Sequence, residues 1–209
     1  TKYPYKLFLL DNGGNHEFRP AVDYYVGFGS NMGIHASWNV ALALAESDYF
    51  ITTDNDLLVP DLAPDWLTQA VAIMDRHPDY GAISLHPHVF IGAAGIEPDS
   101  PDEVVERNMC GAVFRIMRRA AVMQAGGWEH KVDPRRNHEE RTICGKLQQV
   151  GYKVGVFPHL RSYHNFGTNW GYPMEVTPEI QGHNPDLEPE VRRFDNRDSY
   201  DPLTWKPKV

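Results

Sequence analysis

The chain has 209 residues, which is enough for one well-cored domain, alone or with a trailing arm. It carries 28 acidic and 20 basic residues, for a formal net charge of −8. This balance argues against a general nucleic-acid-binding protein, because phosphate backbones attract basic surfaces. The sequence contains no apolar run of membrane-spanning length and no signal peptide, so we expect a cytoplasmic protein without a transmembrane segment.

The first part of the chain alternates strand-like and helix-like segments. Apolar runs predict strands at 5–10 and 24–28, and each is followed by turn-forming residues. Apolar residues at helical spacing predict a helix between 34 and 45, and a β-branched run predicts a strand at 49–53. Strand–helix–strand at this spacing is typical of a three-layer α/β/α fold with a mostly parallel central sheet.

The pattern continues as far as residue 164. It predicts, in chain order, a helix at 64–76, a strand at 81–85, a long loop at 86–108, a strand at 110–117, helices at 118–125 and 139–150, and strands at 154–157 and 160–164. Further on the composition changes to Pro, Asp, Glu, Asn and Arg, and the prolines forbid long regular elements. We therefore expect one domain at 1–168 and an irregular C-terminal arm at 169–209 packed on it.

Two carboxylates, Asp54 and Asp56, follow the strand predicted at 49–53. Alternate residues of an extended chain point the same way, so both side chains would enter one pocket at the end of the strand. Two close carboxylates repel each other unless a cation lies between them, and a hard divalent ion can also bridge to phosphate oxygens. The alternative interpretation is a polar strand exit with Asx-turn residues.

The two cysteines, Cys110 and Cys144, are not in a metal-binding spacing. We expect them to be reduced, partly buried small apolar residues rather than a disulfide or a catalytic thiol.

Short segments spread over residues 5–168 resemble the family-2 glycosyltransferases of the GT-A fold. They occur in the family's order, and they are Leu9-Leu10-Asp11-Asn12-Gly13-Gly14, Asn31-Met32-Gly33 leading to Asn39, Asp54-Asn55-Asp56 with Pro60, Gly111-Ala112 with Arg118-Arg119, Gly126-Gly127-Trp128, Glu139-Glu140 with Lys146-Leu147 and Gly151-Tyr152-Lys153, and His164. Each segment alone is a weak signal, whereas their common order over this span is a strong one.

The resemblance implies a nucleoside diphosphate-sugar donor. Asp11 would accept a hydrogen bond from the nucleotide base, since a carboxylate suits an imide N–H. Asn31 and Gly33 would let the backbone approach the nucleotide at a helix N-terminus. Asn39 would hold that helix against the neighbouring loop. Gly111 would be small because the substrate passes close by.

The resemblance also implies a metal cofactor, Mn²⁺ or Mg²⁺. Asp54 would face the ribose and the ion, and Asp56 would bind the ion directly. His164 would complete the metal shell, where an imidazole favours Mn²⁺, although a histidine near a strand end is as often structural.

The acidic pair Glu139 and Glu140 stands where the family has Glu-Asp, whose second member usually acts as general base. Glu140 is thus the first candidate to take the acceptor's proton and Glu139 the second, with helix-dipole complementation as the alternative for Glu139. Position 140 departs from the family pattern, because it is Glu rather than Asp. Trp128 would offer an apolar face on which a sugar can stack.

The expected function is transfer of a sugar from a nucleoside diphosphate to a carbohydrate or other hydroxyl acceptor, with inversion. A sugar nucleotidyltransferase is one alternative, but it would need a glycine- and arginine-rich loop after the first strand. A non-catalytic binding protein that keeps the fold is another.

The family begins with a strand and a loop that nothing ahead of Tyr5 supplies. We therefore expect either that residue 1 is not the natural start, or that a homo-oligomer covers the exposed sheet edge.

Overall fold

A computed structural model describes residues 1, 3–12, 22–28, 33–54, 57–58, 61–87, 103–129, 139–164 and 190–193. The strands are β1 (Phe8–Asp11), β2 (Tyr24–Gly27), β3 (Tyr49–Thr53), β4 (Leu57–Leu58), β5 (Tyr80–Pro87), β6 (Val105–Arg107), β7 (Phe114–Arg118), β8 (Lys153–His164) and β9 (Glu190–Arg193). The helices are α1 (Gly33–Leu44), α2 (Trp66–Arg76), α3 (Arg119–Gln124) and α4 (Glu139–Gln149).

The larger sheet has the strand order β3-β7-β5-β8-β4, and β6 also pairs with β8. Strand β7 runs antiparallel to both β3 and β5, and β5 runs parallel to β8. Strands β3, β5 and β8 therefore point in the same direction. Their carboxyl ends share one edge of the sheet with the amino end of β7.

The prediction of a mostly parallel sheet is wrong for the strand pairs that the structure describes. In the larger sheet only β5 and β8 pair in parallel, whereas β3–β7, β5–β7, β6–β8 and β4–β8 are antiparallel. The reason is that β7 is inserted between β3 and β5 in the reverse direction. Hydrophobic periodicity identifies a strand but contains no information about its direction.

A smaller sheet has the order β1-β2-β9, with β1 and β2 parallel and β9 antiparallel to β2. Strand β9 comes from the region predicted to be an irregular arm, and the rest of that arm lies outside the described residues. Among the described strands, β1 has a neighbour on one side only. Protection of this edge by a second copy of the chain stays a prediction.

Helices cover both faces of the larger sheet. On one face α2 buries an apolar stripe that includes Leu67, Val71 and Met74 against side chains of β5, β7 and β8. On the other face α1, α3 and α4 pack on the same three strands, and the buried residues of this second cluster are Trp38, Leu42, Ala82, Cys110, Ala112, Met117, Ala121, Val122, Trp128, Ile143, Cys144, Leu147 and Val154. The predicted α/β/α layering is therefore confirmed.

Each helix boundary near the candidate site has a local cause. Gly126 and Gly127, after α3, have φ angles of 79° and 67°, in the left-handed region that favours glycine. Gly151 follows α4 with a φ of 92°, so it ends that helix as the sequence predicts. Among the described residues, no helix is long and apolar enough to span a membrane.

Candidate functional site

Asp54 lies at the sheet edge formed by the carboxyl ends of β3, β5 and β8. Its backbone N–H donates a hydrogen bond to the carbonyl oxygen of Val113 at 3.0 Å. This bond holds Asp54 next to the segment that leads into β7, which contains Gly111. Asp54, the carboxylate that directly follows β3, therefore lies at this edge of the sheet, as predicted.

The chain then crosses to the end of β8, because β4 pairs antiparallel with it. Leu57, the residue after Asp56, is the register partner of His164. The backbone thus brings position 164 beside Leu57, three residues after Asp54. The side chains of Asp56 and His164 lie outside the described residues, as does Asn31.

The described side chains alone do not make a metal site. No group of three or more His, Cys, Asp or Glu is gathered for a metal among them. The predicted set of Asp54, Asp56 and His164 therefore stays a prediction, which the register of β4 with β8 favours.

Asp11 ends β1 and is nearly buried, with 8% of its surface exposed. The hydroxyl of Tyr25 donates a hydrogen bond to Asp11 Oδ2 at 2.7 Å. The Tyr25 ring reaches Asp11 across Gly27, which is the register partner of Asp11. A Cβ on Gly27 would lie 2.5 Å from the tyrosine oxygen, so only glycine leaves room for this contact. The strand pair therefore fixes the orientation of the Asp11 carboxylate.

Glu139, at the start of α4, is in a buried ion pair rather than at an open pocket mouth. Its Oε1 accepts hydrogen bonds from Arg115 Nη2 at 2.6 Å and from Trp128 Nε1 at 2.5 Å. Arg115 is fully buried and Glu139 is 6% exposed. Burial raises the pKa of Glu139, while the charge of Arg115 and the two hydrogen bonds oppose that shift. A carboxylate held in this way anchors α4, and we assign the general-base proposal to Glu140.

Arg115 is the residue of this site that the sequence interpretation missed. It lies in the apolar strand β7, opposite Thr52 of β3 and Ser84 of β5. Its guanidinium carbon is also 5.3 Å from the ring centroid of Trp38. The available signal was an arginine between the apolar residues Phe114 and Ile116 of a strand, because a buried cation requires a buried partner.

Trp128 is fully buried, and its ring contacts those of Trp38 and Phe50 at centroid distances of 5.3 and 6.1 Å. A ring in the core offers no face to a sugar, so the structure does not favour the predicted stacking role. The indole instead supports Glu139 through its N–H.

The turn that carries Trp128 is held from both sides by α1 and α4. Asn39 donates to the Trp128 carbonyl oxygen and accepts from the Trp128 N–H, both at 2.9 Å. Lys146 Nζ donates to the carbonyl oxygen of Gly127. A Cβ on Gly127 would lie 2.5 Å from Asn39 Oδ1, so glycine is required for this close approach. The prediction that Asn39 holds α1 against the neighbouring loop agrees with these contacts.

Glu140 lies beside Glu139 in the first turn of α4 and is half-buried. Glu139 forms the ion pair with Arg115 that fixes the start of α4, so this ion pair also sets the position of the next residue, Glu140.

Two glycines at the site, Gly33 and Gly111, border space that no described residue fills. Among the described residues, a Cβ at Gly33 or Gly111 would meet no atom within 4 Å, and Gly33 has a φ of 76°. The described part of the fold therefore sets no demand for a small residue at position 111.

Comparison with known proteins identifies a family and a fold. The model of the family described as "Glycosyl transferase family 2" matches residues 1–118. No curated protein matches the chain. Among solved structures, the chain is similar to the mannosyltransferase PcManGT from Pyrobaculum calidifontis in complex with GDP-Man and Mn²⁺, with 19% identity and a TM-score of 0.55. The match covers 70% of this chain and 40% of that one.

A second similar structure is that of GalNAc-T7 with UDP, GalNAc and Mn²⁺, at 12% identity. The match covers 65% of this chain and 31% of that one, with a TM-score of 0.49. The chain therefore spans less than half the length of either protein. The likeness to PcManGT shows the GT-A fold alone, whereas the family model extends over more than half of the chain. On that match, the chain belongs to glycosyl transferase family 2.

Proposed function

We propose that this domain transfers a sugar from a nucleoside diphosphate donor to a hydroxyl acceptor, with Glu140 as the general base. The observation that supports this most is the shared sheet edge. Asp54, the segment of Gly111 and position 164 all lie there, and the β7 residue Arg115 fixes the start of α4 beside it. The edge thus combines Asp54, which we propose as a metal ligand, with the half-buried Glu140.

We also propose that a divalent ion binds at this edge. Asp54 and Asp56 would hold Mn²⁺ or Mg²⁺, with His164 as a further ligand that favours Mn²⁺. The bound ion would offset the negative charge that develops on the leaving diphosphate. PcManGT, the neighbour with the same fold, was solved with GDP-Man and Mn²⁺, which makes these the first ligands to test.

The nucleotide would lie between the two sheets' carboxyl ends. Asp11 would accept the N–H of an imide or amide in the base, as in uracil, thymine or guanine. Its orientation by Tyr25 limits the conformational entropy lost on binding. Asn31 and Gly33, at the start of α1, would lie against the donor.

Glu140 would accept the proton of the acceptor hydroxyl as its oxygen attacks the anomeric carbon. The bond from that carbon to the phosphate oxygen breaks in the same step, and the nucleoside diphosphate leaves. A single displacement of this kind inverts the anomeric configuration. A hexose is the sugar class that we propose.

A ligand-binding experiment separates this proposal from a non-transferase. Thermal unfolding is followed with UDP, GDP, dTDP and CMP, each with and without Mn²⁺. We expect one diphosphate to raise the unfolding midpoint only when the metal is present, because the metal bridges it to Asp54 and Asp56. The Asp56→Ala variant should lose this shift. Absence of a shift with every nucleotide would contradict the proposal.

A second experiment tests the catalytic role. In Glu140→Gln we expect unchanged binding of the nucleoside diphosphate and a fall in its release from the sugar donor of about 10²–10⁴-fold. Release is measured with water and with a panel of sugars as acceptors, and the configuration of the product is read by NMR. Donor binding without any turnover in the native protein would identify a binding protein that has kept the fold.

A further inference from the structure

The two cysteines of the chain lie in contact beneath the candidate site. Their Sγ atoms are 3.5 Å apart, although the residues are 34 positions apart in sequence. Cys110 directly precedes Gly111, and Cys144 lies on α4, one turn after Glu140. Both are free thiols, with exposures of 1% and 0%. The proposed transfer reaction uses neither of them.

The environment makes the two sulfurs chemically different. The backbone N–H of Cys110 donates to Cys144 Sγ at 3.4 Å, and the two thiols share a hydrogen bond. The hydrogen bond from Cys110 lowers the pKa of Cys144, whereas the same bond and burial raise the pKa of Cys110. The guanidinium of Arg115 also favours a thiolate here. Since the thiolate is the reactive form, the lowered pKa of Cys144 favours it as the attacking residue of the pair.

We propose that Cys110 and Cys144 form a redox-active pair, which a hydroperoxide oxidises to an intramolecular disulfide between α4 and the segment before β7. In the first step the Cys144 thiolate attacks one oxygen of hydrogen peroxide, the O–O bond breaks, a sulfenic acid forms, and the other oxygen leaves as hydroxide, which takes up a proton to become the first water. In the second step the Cys110 sulfur attacks the sulfenic sulfur, the S–S bond forms, and water leaves. Two thiols are oxidised and one hydrogen peroxide is reduced to two waters.

The geometry requires a small movement. A disulfide bond is about 2.05 Å long, so the sulfurs must approach by about 1.5 Å from their separation of 3.5 Å. Both thiols are buried in the core cluster between α4 and the sheet, and Met109, which precedes Cys110, is 46% exposed. The bond would tie α4, which carries Glu140, to Gly111. The disulfide would also constrain the unfolded chain and so stabilise the oxidised protein.

Peptide mapping of the full chain tests the proposal without a nucleotide or a sugar, so its outcome is independent of the transferase assignment. Reduced protein is treated with hydrogen peroxide, free thiols are blocked under denaturing conditions, and the digest is analysed by mass spectrometry. We expect both thiols to disappear together and a peptide pair joined through Cys110 and Cys144, in a monomer, that dithiothreitol separates. The oxidised protein should have a higher urea midpoint than the reduced one.

Two serine variants test the order of the steps. In Cys110→Ser, peroxide should leave a sulfenic acid on Cys144 that dimedone traps, because no second thiol can resolve it. In Cys144→Ser, Cys110 should stay unmodified under the same conditions. Three outcomes with the native chain would overturn the proposal without any variant: retention of both thiols, a disulfide between two chains, or sulfinic acid without a cross-link.

Discussion

His35 lies in the first turn of α1 with its imidazole buried, 5% exposed. The charged groups that act on the ring are Glu129 and Glu140, which raise its pKa, and Lys146, which lowers it. Nδ1 has no hydrogen-bond partner among the described residues. Burial lowers the pKa of His35 below its ordinary value. The folded protein therefore prefers the neutral imidazole.

This shift predicts a loss of stability in mild acid. An imidazole with a depressed pKa adds stability above its unfolded value, about 6.5, and that stability is lost as the pH falls toward the folded value. The urea midpoint of the native protein should therefore fall between about pH 7.5 and 5.5. In His35→Gln, which cannot titrate, the fall should be smaller. The matched variant His159→Gln replaces an exposed histidine and serves as the substitution control, and equal slopes in the native protein and His35→Gln would contradict the assignment.

A substitution at Gly111 tests whether a ligand passes this position without disturbing the fold. Because a Cβ there meets open space and the φ angle is not in the left-handed region, Gly111→Val should change the free energy of unfolding by less than about 0.5 kcal/mol. The added methyl groups should weaken binding of the nucleoside diphosphate about tenfold or more, or ~1.4 kcal/mol. Calorimetric titration in the presence of Mn²⁺ measures this loss.

The control for this prediction is Gly155→Val. A Cβ at Gly155 would lie 2.7 Å from Val104 Cγ1, so this variant should lose stability through steric overlap. Unchanged nucleotide affinity in Gly111→Val would mean that no ligand passes position 111.

At the scale of elements, the ion pair between Arg115 and Glu139 joins β7 to α4. Removal of one partner from a buried pair leaves an uncompensated charge, so Arg115→Met should destabilise the protein by about 3–5 kcal/mol. The double variant Arg115→Met with Glu139→Gln should recover about 1 kcal/mol or more, because no charge stays buried and the amide oxygen can still accept from Trp128. Urea unfolding measures both values.

An exposed ion pair provides the comparison. Lys153 is 47% exposed and lies 3.1 Å from Asp79 Oδ2, so Lys153→Met should change stability little, because water screens its charge. A double variant that is less stable than Arg115→Met alone would contradict the view that the unpaired carboxylate is the main cost.

The sequence predicted most elements but not the relations between them. Helix α4 and its glycine stop were predicted because an apolar stripe and a positive-φ glycine are local features. Strand β6 was predicted as loop. The charged residues Glu106 and Arg107 leave no alternation of apolar and polar residues, and the pairing of β6 with β8 is non-local. The direction of β7 and the Arg115–Glu139 ion pair could not be predicted either, because both depend on contacts between residues that are distant in sequence.

For the candidate site too, the sequence predicts local features but not contacts between distant residues. The positions of Asp11 and Asp54 at strand ends follow from short apolar runs that end in a carboxylate. The burial of Trp128 did not follow, because an aromatic residue after two glycines is equally compatible with a pocket wall and with the core. Packing against Trp38 and Phe50 decides between them, and both contacts are distant in sequence.

At the scale of the whole molecule, the proposed donor site draws on both sheets. Asp11 ends β1 of the smaller sheet, and Asp54 follows β3 of the larger one. Helix α1 lies between them, since it packs on β1 and β2 through Ala36 and Val40 and on the larger sheet through Trp38 and Leu42. A nucleotide that binds Asp11 with its base and the metal with its diphosphate would connect the two sheets directly.

Hydrogen exchange measured by mass spectrometry tests this connection. With Mn²⁺ alone, amides near Asp54 and Leu57 should exchange more slowly, because the metal ligands lie there. With Mn²⁺ and GDP or UDP, the carboxyl ends of β1 and β2 should become protected as well, since the base reaches Asp11. The Asp11→Asn variant keeps the shape of the side chain but removes its charge, so it should lose the protection at β1 and β2 and keep that at Asp54. Protection confined to the larger sheet in the native protein would show that the nucleotide does not bridge the two sheets.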